Sequence, residues 1–107
     1  MNEALRKKYI PMTETTYYTL LAVIKPRHGY AIMQYVAALT QDRLLLGTGT
    51  LYTMVGRLTA DGVVEVRYED GKKAYCLTQI GMELLGEETK RLGQQLADGM
   101  KILSGGV

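Results

Sequence analysis

Two groups of residues in this chain have the types and spacing for hydrogen-bond and charge chemistry on a polyanion. Thr48, Gly49, Thr50, Tyr52, Thr53 and Arg57 recur on the polar side of a helical repeat. There, hydroxyls and a guanidinium can bond base edges or phosphates, and glycine lets a backbone come close. Lys72 and Lys73 follow Asp70-Gly71, a strong signal for a tight hairpin turn that would put both ammonium groups at the tip. A basic hairpin tip is often merely solvated. It is its place directly after a polar-faced helix that favours contact with phosphate.

Other chemistries lack their residues. His28 is the only histidine and Cys76 the only cysteine, so no cluster with the spacing of a metal site exists and no intrachain disulfide can form. His28 is expected to serve a structural role at a turn or helix start, and Cys76 to be a small buried hydrophobe on a strand. Gly47-Thr48-Gly49 is too short for a nucleotide-binding loop, and neither a nucleophile motif nor a recognisable acid and base pair of carboxylates is present. The expectation is a protein that is not an enzyme and holds neither cofactor nor metal.

Size and charge agree with a small binding protein. A length of 107 residues, 47% hydrophobic and 22% charged, leaves room for one domain with a modest core. No apolar run approaches the roughly 18 to 20 residues that span a bilayer, and the first eleven residues lack the apolar core of a signal peptide. A cytoplasmic location with no membrane partner follows as an expectation. The net charge of +2 is uneven: residues 1 to 77 carry ten Lys or Arg against seven Asp or Glu, and residues 78 to 107 carry three against four. The excess positive charge lies with the residues suited to nucleic acid.

The elements that would position these residues are legible in the apolar periodicity. Asn2 to Lys8, with Arg6, Lys7 and Lys8 adjacent, reads as a loose arm or short helix, either a solvated terminus or an arm that touches phosphate or a partner subunit. Thr13 caps a helix from about Glu14 to Ile24, and a second runs from about Tyr30 to Leu39. A connector with Leu44-Leu45-Leu46 offers a small strand. Thr48 is expected to cap a third helix that runs to about Ala60, with Leu51, Met54, Val55 and Leu58 inward. Gly56 on its outer face costs up to about 1 kcal/mol relative to alanine, which either drift or close approach to DNA would explain. Asp61-Gly62 ends this helix, and a hairpin follows to Leu77. Thr78 caps a last helix whose Leu85, Leu92, Leu96 and Met100 mark a narrow stripe suited to another helix. Gly86 and Gly93, seven residues apart, would allow close helix approach. A second copy would cover that stripe best, so a homodimer is expected. With no Phe or Trp among the residues, tyrosine must supply the aromatic packing, and some of its hydroxyls should find partners.

This order of elements is an α+β, mainly α, winged helix-turn-helix with a C-terminal dimerisation helix: residues 1–77 for the arm and DNA-binding domain, residues 78–107 for the dimerisation helix. The sequence resembles the PadR family of bacterial transcriptional regulators, in the small branch with a single C-terminal dimerisation helix. The resemblance rests on Pro11-Met12-Thr13-Glu14-Thr15, Tyr17-Tyr18 with Leu20-Leu21, His28-Gly29-Tyr30, Leu46 to Tyr52, Arg57-Leu58 with Asp61-Gly62, and Tyr75-Cys76-Leu77-Thr78 before Gly81. It implies a homodimer that places its third helices in successive major grooves of a near-palindromic double-stranded DNA operator, with half-sites about 34 Å apart. It also implies repression of a promoter, relieved by an effector that alters the spacing of the two heads. Drug-sensing members stack flat aromatic ligands on tryptophan at the dimer interface. This chain has none, so an effector pocket between subunits would be lined by Tyr or Met. Val55 and Gly56 depart from the bulkier residues expected in the reading helix. A different class of function, a winged helix used for protein contact, stays open; the polar outer face of the third helix argues against it.

Overall fold

The computed structural model describes residues 2–106 and carries five helices and one hairpin among them: α1 Glu3–Tyr9, α2 Glu14–Ala22, α3 Gly29–Leu39, α4 Thr48–Ala60, β1 Val64–Glu69, β2 Lys72–Leu77 and α5 Gln79–Leu103. This is the expected α+β, mainly helical, winged helix-turn-helix with a long C-terminal helix. Side-chain caps start three of the helices: Asn2 accepts from the Leu5 amide, Thr13 from Thr16 and Thr78 from Gly81, each taking an amide that has no partner within its helix.

α2, α3 and α4 pack around Leu20, Ile32, Leu51 and Leu58, all fully buried, and Leu84 of α5 closes the same core. Each such side chain contributes about 1.5–3 kcal/mol by leaving water. Between α3 and α4 the chain turns at Gln41 and Asp42, both in the left-handed region (φ 52° and 62°). Thr40 holds that turn, its hydroxyl donating to the Val36 carbonyl at 2.8 Å and accepting from the Leu44 amide at 3.1 Å. Leu44-Leu45-Leu46 therefore forms a turn and connector, not the small strand expected of it. The strand-like neighbour of the wing is Arg27, which exchanges backbone hydrogen bonds with Tyr75 at 3.1 and 2.8 Å.

β1 and β2 are antiparallel, with Glu69 opposite Lys72 and Val64 opposite Leu77. Asp70 and Gly71 join them with φ of 53° and 76°. Two consecutive positive φ values define the turn whose twist matches the strands. Cys76 is buried on β2, as expected for a small apolar residue.

The N-terminal segment is a docked helix and not a loose arm. Leu5 and Tyr9 of α1 are buried, and two of its three adjacent cations are taken up within the chain: Arg6 pairs with Glu87 and Glu3, and Lys8 with Asp61. Tyr9 donates to the Asp61 carboxylate at 2.5 Å. Burial first, then the hydrogen bond to Asp61, pushes its hydroxyl up to about 12. The α1–α2 junction is tied to α5 by Glu88, 1% exposed, which accepts from the Met12 amide at 2.8 Å and from Arg91 at 2.6 Å.

The start of α5 is fixed just as tightly. The Thr78 hydroxyl donates to the Gly62 carbonyl at 2.6 Å, and a Cβ at Gly81 would overlap the Val63 carbonyl and the Leu77 side chain. The first part of α5 thus belongs to the winged-helix body. Leu85 is 3% exposed in that body's core, while Leu96 and Met100 are 64% and 61% exposed. The exposed apolar stripe of α5 begins at the half-buried Leu92, and Leu85, expected in it, lies in the core.

Gly81→Ala should cost about 1–3 kcal/mol through overpacking against a backbone carbonyl, whereas Gly86→Ala, with open space around the new methyl group, should be neutral or stabilising by up to about 1 kcal/mol. Urea unfolding measures both, and equal effects would refute the joint. The Arg91 guanidinium holds the Glu88 carboxyl below the usual carboxylate range, with the Met12 amide adding to this and burial opposing it. A depressed carboxylate contributes stability that is present above its unfolded pKa and is lost as pH falls through its folded value. Glu88→Gln should therefore lower stability at neutral pH and flatten the decline of stability on acidification, read from unfolding midpoints between pH 7 and 3.

Candidate nucleic-acid interface

α4 presents two unlike sides because its apolar residues recur at helical spacing. Leu51, Met54, Val55 and Leu58 are buried, while Thr48, Gly49, Thr50, Tyr52, Thr53, Gly56 and Arg57 are exposed. All six α4 residues singled out from the sequence thus lie on its open side. The helix begins differently from expectation. Gly47 is the cap residue and Thr48 the first helical one, and no side chain caps the first turn. The Thr48 hydroxyl reaches only the Met33 sulfur, at 4.0 Å. The first amides of α4 are left without a side-chain partner, at the positive end of the helix dipole.

The exposed residues divide between two clefts flanking α4. One, of about 510 Å³, lies against the start of α2 and joins Gly49, Thr50, Thr53 and Arg57 to Thr13 and Thr15. The other, of about 530 Å³, lies against the wing and joins Tyr52 to His28, Tyr30, Lys72 and Lys73. Residues from the helix and the hairpin tip, some twenty positions apart in sequence, are therefore brought to one cleft. Thr48 lines neither.

Tyr52 is half exposed, and its hydroxyl rests against the backbone of Gly29, where any Cβ would overlap it. A side chain at position 29, at the start of α3, would have to displace the end of the Tyr52 ring. The Arg57 guanidinium lies 5.6 Å from the centre of the Tyr9 ring, so α1 supports the far end of the exposed face. At the hairpin tip Lys72 and Lys73 are both exposed. Glu69 stands opposite Lys72 and Tyr68 opposite Lys73, which leaves Lys73 the less opposed charge. Sequence reasoning did not find Thr13, Thr15, Tyr30 or His28 as neighbours of this face. They are remote in sequence from α4, and only the packing of α2 and α3 brings them near.

α5 carries the second candidate surface. Leu92, Leu96, Met100 and Leu103 line a groove with Gly99 along its outer half. Nearer the body, Met12, Tyr17, Tyr18 and Leu92 line a smaller cleft of about 290 Å³ between α2 and α5. The two tyrosine rings meet edge to face, 5.7 Å apart. Thr89 spends its proton on the Leu85 carbonyl, so Tyr17 donates in the 2.8 Å bond between their hydroxyls. Among the described residues no helix is long and apolar enough to cross a membrane, and no group of three or more His, Cys, Asp or Glu is placed to hold a metal.

The fold has close solved counterparts. A PadR-like transcriptional regulator from Bacillus cereus superposes with a TM-score of 0.73 at 16% identity, covering 96% of this chain and 99% of its own. A PadR-like transcription factor from Bacteroides fragilis gives 0.65 at 25% identity, covering 94% of both chains. A transcriptional regulator from Clostridium thermocellum gives 0.66 at 18% identity, covering 91% of this chain and 97% of its own. No curated protein matches the sequence. Residues 17–87, most of the chain from α2 into α5, match the transcriptional regulator PadR-like family, and with the wing, the polar-faced α4 and the long α5 in their places, the chain belongs to that family.

Proposed function

We propose that this PadR-family regulator is a homodimeric, sequence-specific repressor that reads a near-palindromic double-stranded operator in the cytoplasm. In this reading Thr48, Gly49, Thr50, Tyr52, Thr53 and Arg57 face the major groove or its edges, and Lys72 and Lys73 meet flanking phosphates. The observation that carries it is the polar, exposed side of α4 with a cleft on each flank, one of them shared with the basic hairpin tip. A surface for another protein would be expected to centre on apolar anchors.

Division of labour within the chain follows the same lines. Residues 1–77 form the DNA-binding part and residues 78–107 the dimerisation helix, with the outer half of α5 pairing across a two-fold axis through Leu92, Leu96 and Met100. Those side chains are exposed or half-exposed in one chain, and a second copy supplies the helix that such a stripe needs. A small-molecule effector at the dimer interface would enter the Met12, Tyr17, Tyr18 and Leu92 cleft. It would act by shifting α5 against α2 and so changing the separation of the two reading heads.

The direct test is selection of genomic DNA fragments by the purified protein, with its mass measured in the same buffer. Enrichment of a palindrome bound by a dimer supports the proposal. A dimer that enriches nothing above a salt-sensitive background, or a stable complex with another protein that survives excess DNA, would contradict it.

Gly56 offers a separate check. Beyond its own turn of helix backbone, nothing lies within 4 Å of a Cβ placed there, so Gly56→Ala should raise stability by up to about 1 kcal/mol in thermal unfolding. If α4 approaches DNA backbone closely at this point, the same substitution lowers affinity for the selected operator. Higher stability with unchanged affinity would mean that DNA does not demand glycine there.

A further inference from the structure

The outer edge of β2 is held to the helical body by a ladder whose last rung is a side chain. The amides of Leu77 and Tyr75 point away from β1, Leu77 donating to the Val23 carbonyl at 2.8 Å and Tyr75 to Arg27 at 2.8 Å, while Arg27 donates back to Tyr75 at 3.1 Å. In an antiparallel pair the next rung toward the tip would be the Gly29 amide on the Lys73 carbonyl. The chain turns into α3 at Gly29, so that amide leaves the edge. His28 takes its place, with Nδ1 2.8 Å from the Lys73 carbonyl oxygen. A carbonyl can only accept, so Nδ1 carries the proton and donates. One residue on, Gly29 lies against the Tyr52 hydroxyl of the reading helix.

We propose that His28 is the positioning residue of the wing: its Nδ1–H bond to the Lys73 carbonyl replaces the missing rung and sets the basic tip at a fixed place relative to α4. His28 acts through Lys73. The anchor rests on the geometry of the free protein, and its consequence for DNA rests on the function proposed above. Without the bond, the backbone rungs to the body end at Tyr75 and packing ends at the buried Ala74, and the tip at Lys72 and Lys73 relies on the two-residue turn and β1.

Two measurements on the full-length protein test this. Hydrogen exchange without DNA reads the anchor through the Lys72 and Ala74 amides, which by register face β1. His28→Ala and His28→Gln should speed their exchange, and His28→Asn, whose amide nitrogen sits close to where Nδ1 was, should keep it slow. Unchanged exchange in His28→Ala, or equal behaviour of the Asn and Gln variants, would overturn the proposal; the Asn and Gln pair decides the matter even if the alanine variant fails to fold. Affinity for a selected duplex reads the consequence. Loss of one hydrogen bond should weaken binding about fivefold in His28→Ala, and by much less when Lys73→Ala is already present, because the charge being positioned is gone. An undiminished loss in the Lys73→Ala background would assign His28 a role independent of the wing and overturn the proposal. Wild-type protein that binds no duplex would sink the proposed function instead, and the exchange result would then decide the anchor by itself.

Discussion

The junction of Val63, Thr78 and Gly81 is the constraint on which the arrangement of this molecule depends. Four elements meet there: the end of α4, the start of β1, the end of β2 and the start of α5. The Thr78 amide donates to the Val63 carbonyl at 3.1 Å, its hydroxyl donates to the Gly62 carbonyl, and the same oxygen accepts from the Gly81 amide at 3.1 Å. One threonine thus caps α5 and closes the base of the hairpin. Because Gly81 has no side chain, α5 leaves directly against the backbone of the hairpin's base, and its direction is set relative to α4. This joint is the covalent and hydrogen-bonded link between α5 and the end of α4.

The rest of the body transmits that geometry because its polar contacts are buried or shared between elements. Glu88 binds the α1–α2 junction to α5, and Asp61 takes both Tyr9 and Lys8 at the end of α4. Each carboxylate lies where two elements meet, and each is held below the usual carboxylate range, Glu88 by Arg91 first and Asp61 by Lys8 first. α1, α2, α4 and the inner part of α5 are joined in this way into one body. The wing is joined to it by backbone rungs, and only the outer half of α5 stands clear. A rigid head and a free helical stripe are what a dimeric regulator needs if the distance between heads is to be governed by helix packing.

Much of this was legible in the residues. The apolar spacing of α2 to α5, the Asp70-Gly71 turn and the caps at Thr13 and Thr78 are local signals, and they found the elements and the exposed face of α4. What the sequence concealed depends on contacts between distant segments. Of the two readings open for Asn2 to Lys8, a loose arm or a short helix, the helix forms because Leu5 and Tyr9 find a core and Arg6 and Lys8 find carboxylates at Glu87 and Asp61, remote from them in sequence. Leu85 fits a free stripe by periodicity but is buried in the core, since only the outer half of α5 stands away from the body. Thr48 looked like a cap by type, yet the extended residue before the helix is Gly47 (ψ 151°). Leu44 to Leu46 had strand-like composition, but the edge of β2 was already taken by Arg27. The clefts beside α4 join its residues to others from α2, α3 and β2, and no spacing rule brings Thr13 or His28 to its exposed face.

In the function proposed, α4 and the wing form one nucleic-acid surface while the outer part of α5 serves a different purpose. Mapping backbone amide shifts as a selected operator duplex is titrated into the labelled protein tests it most directly. The largest changes are expected on residues 48–57 and 72–73, with the segment from Leu92 to Leu103 little affected. Changes concentrated on that segment, with α4 and the hairpin tip silent, would contradict it.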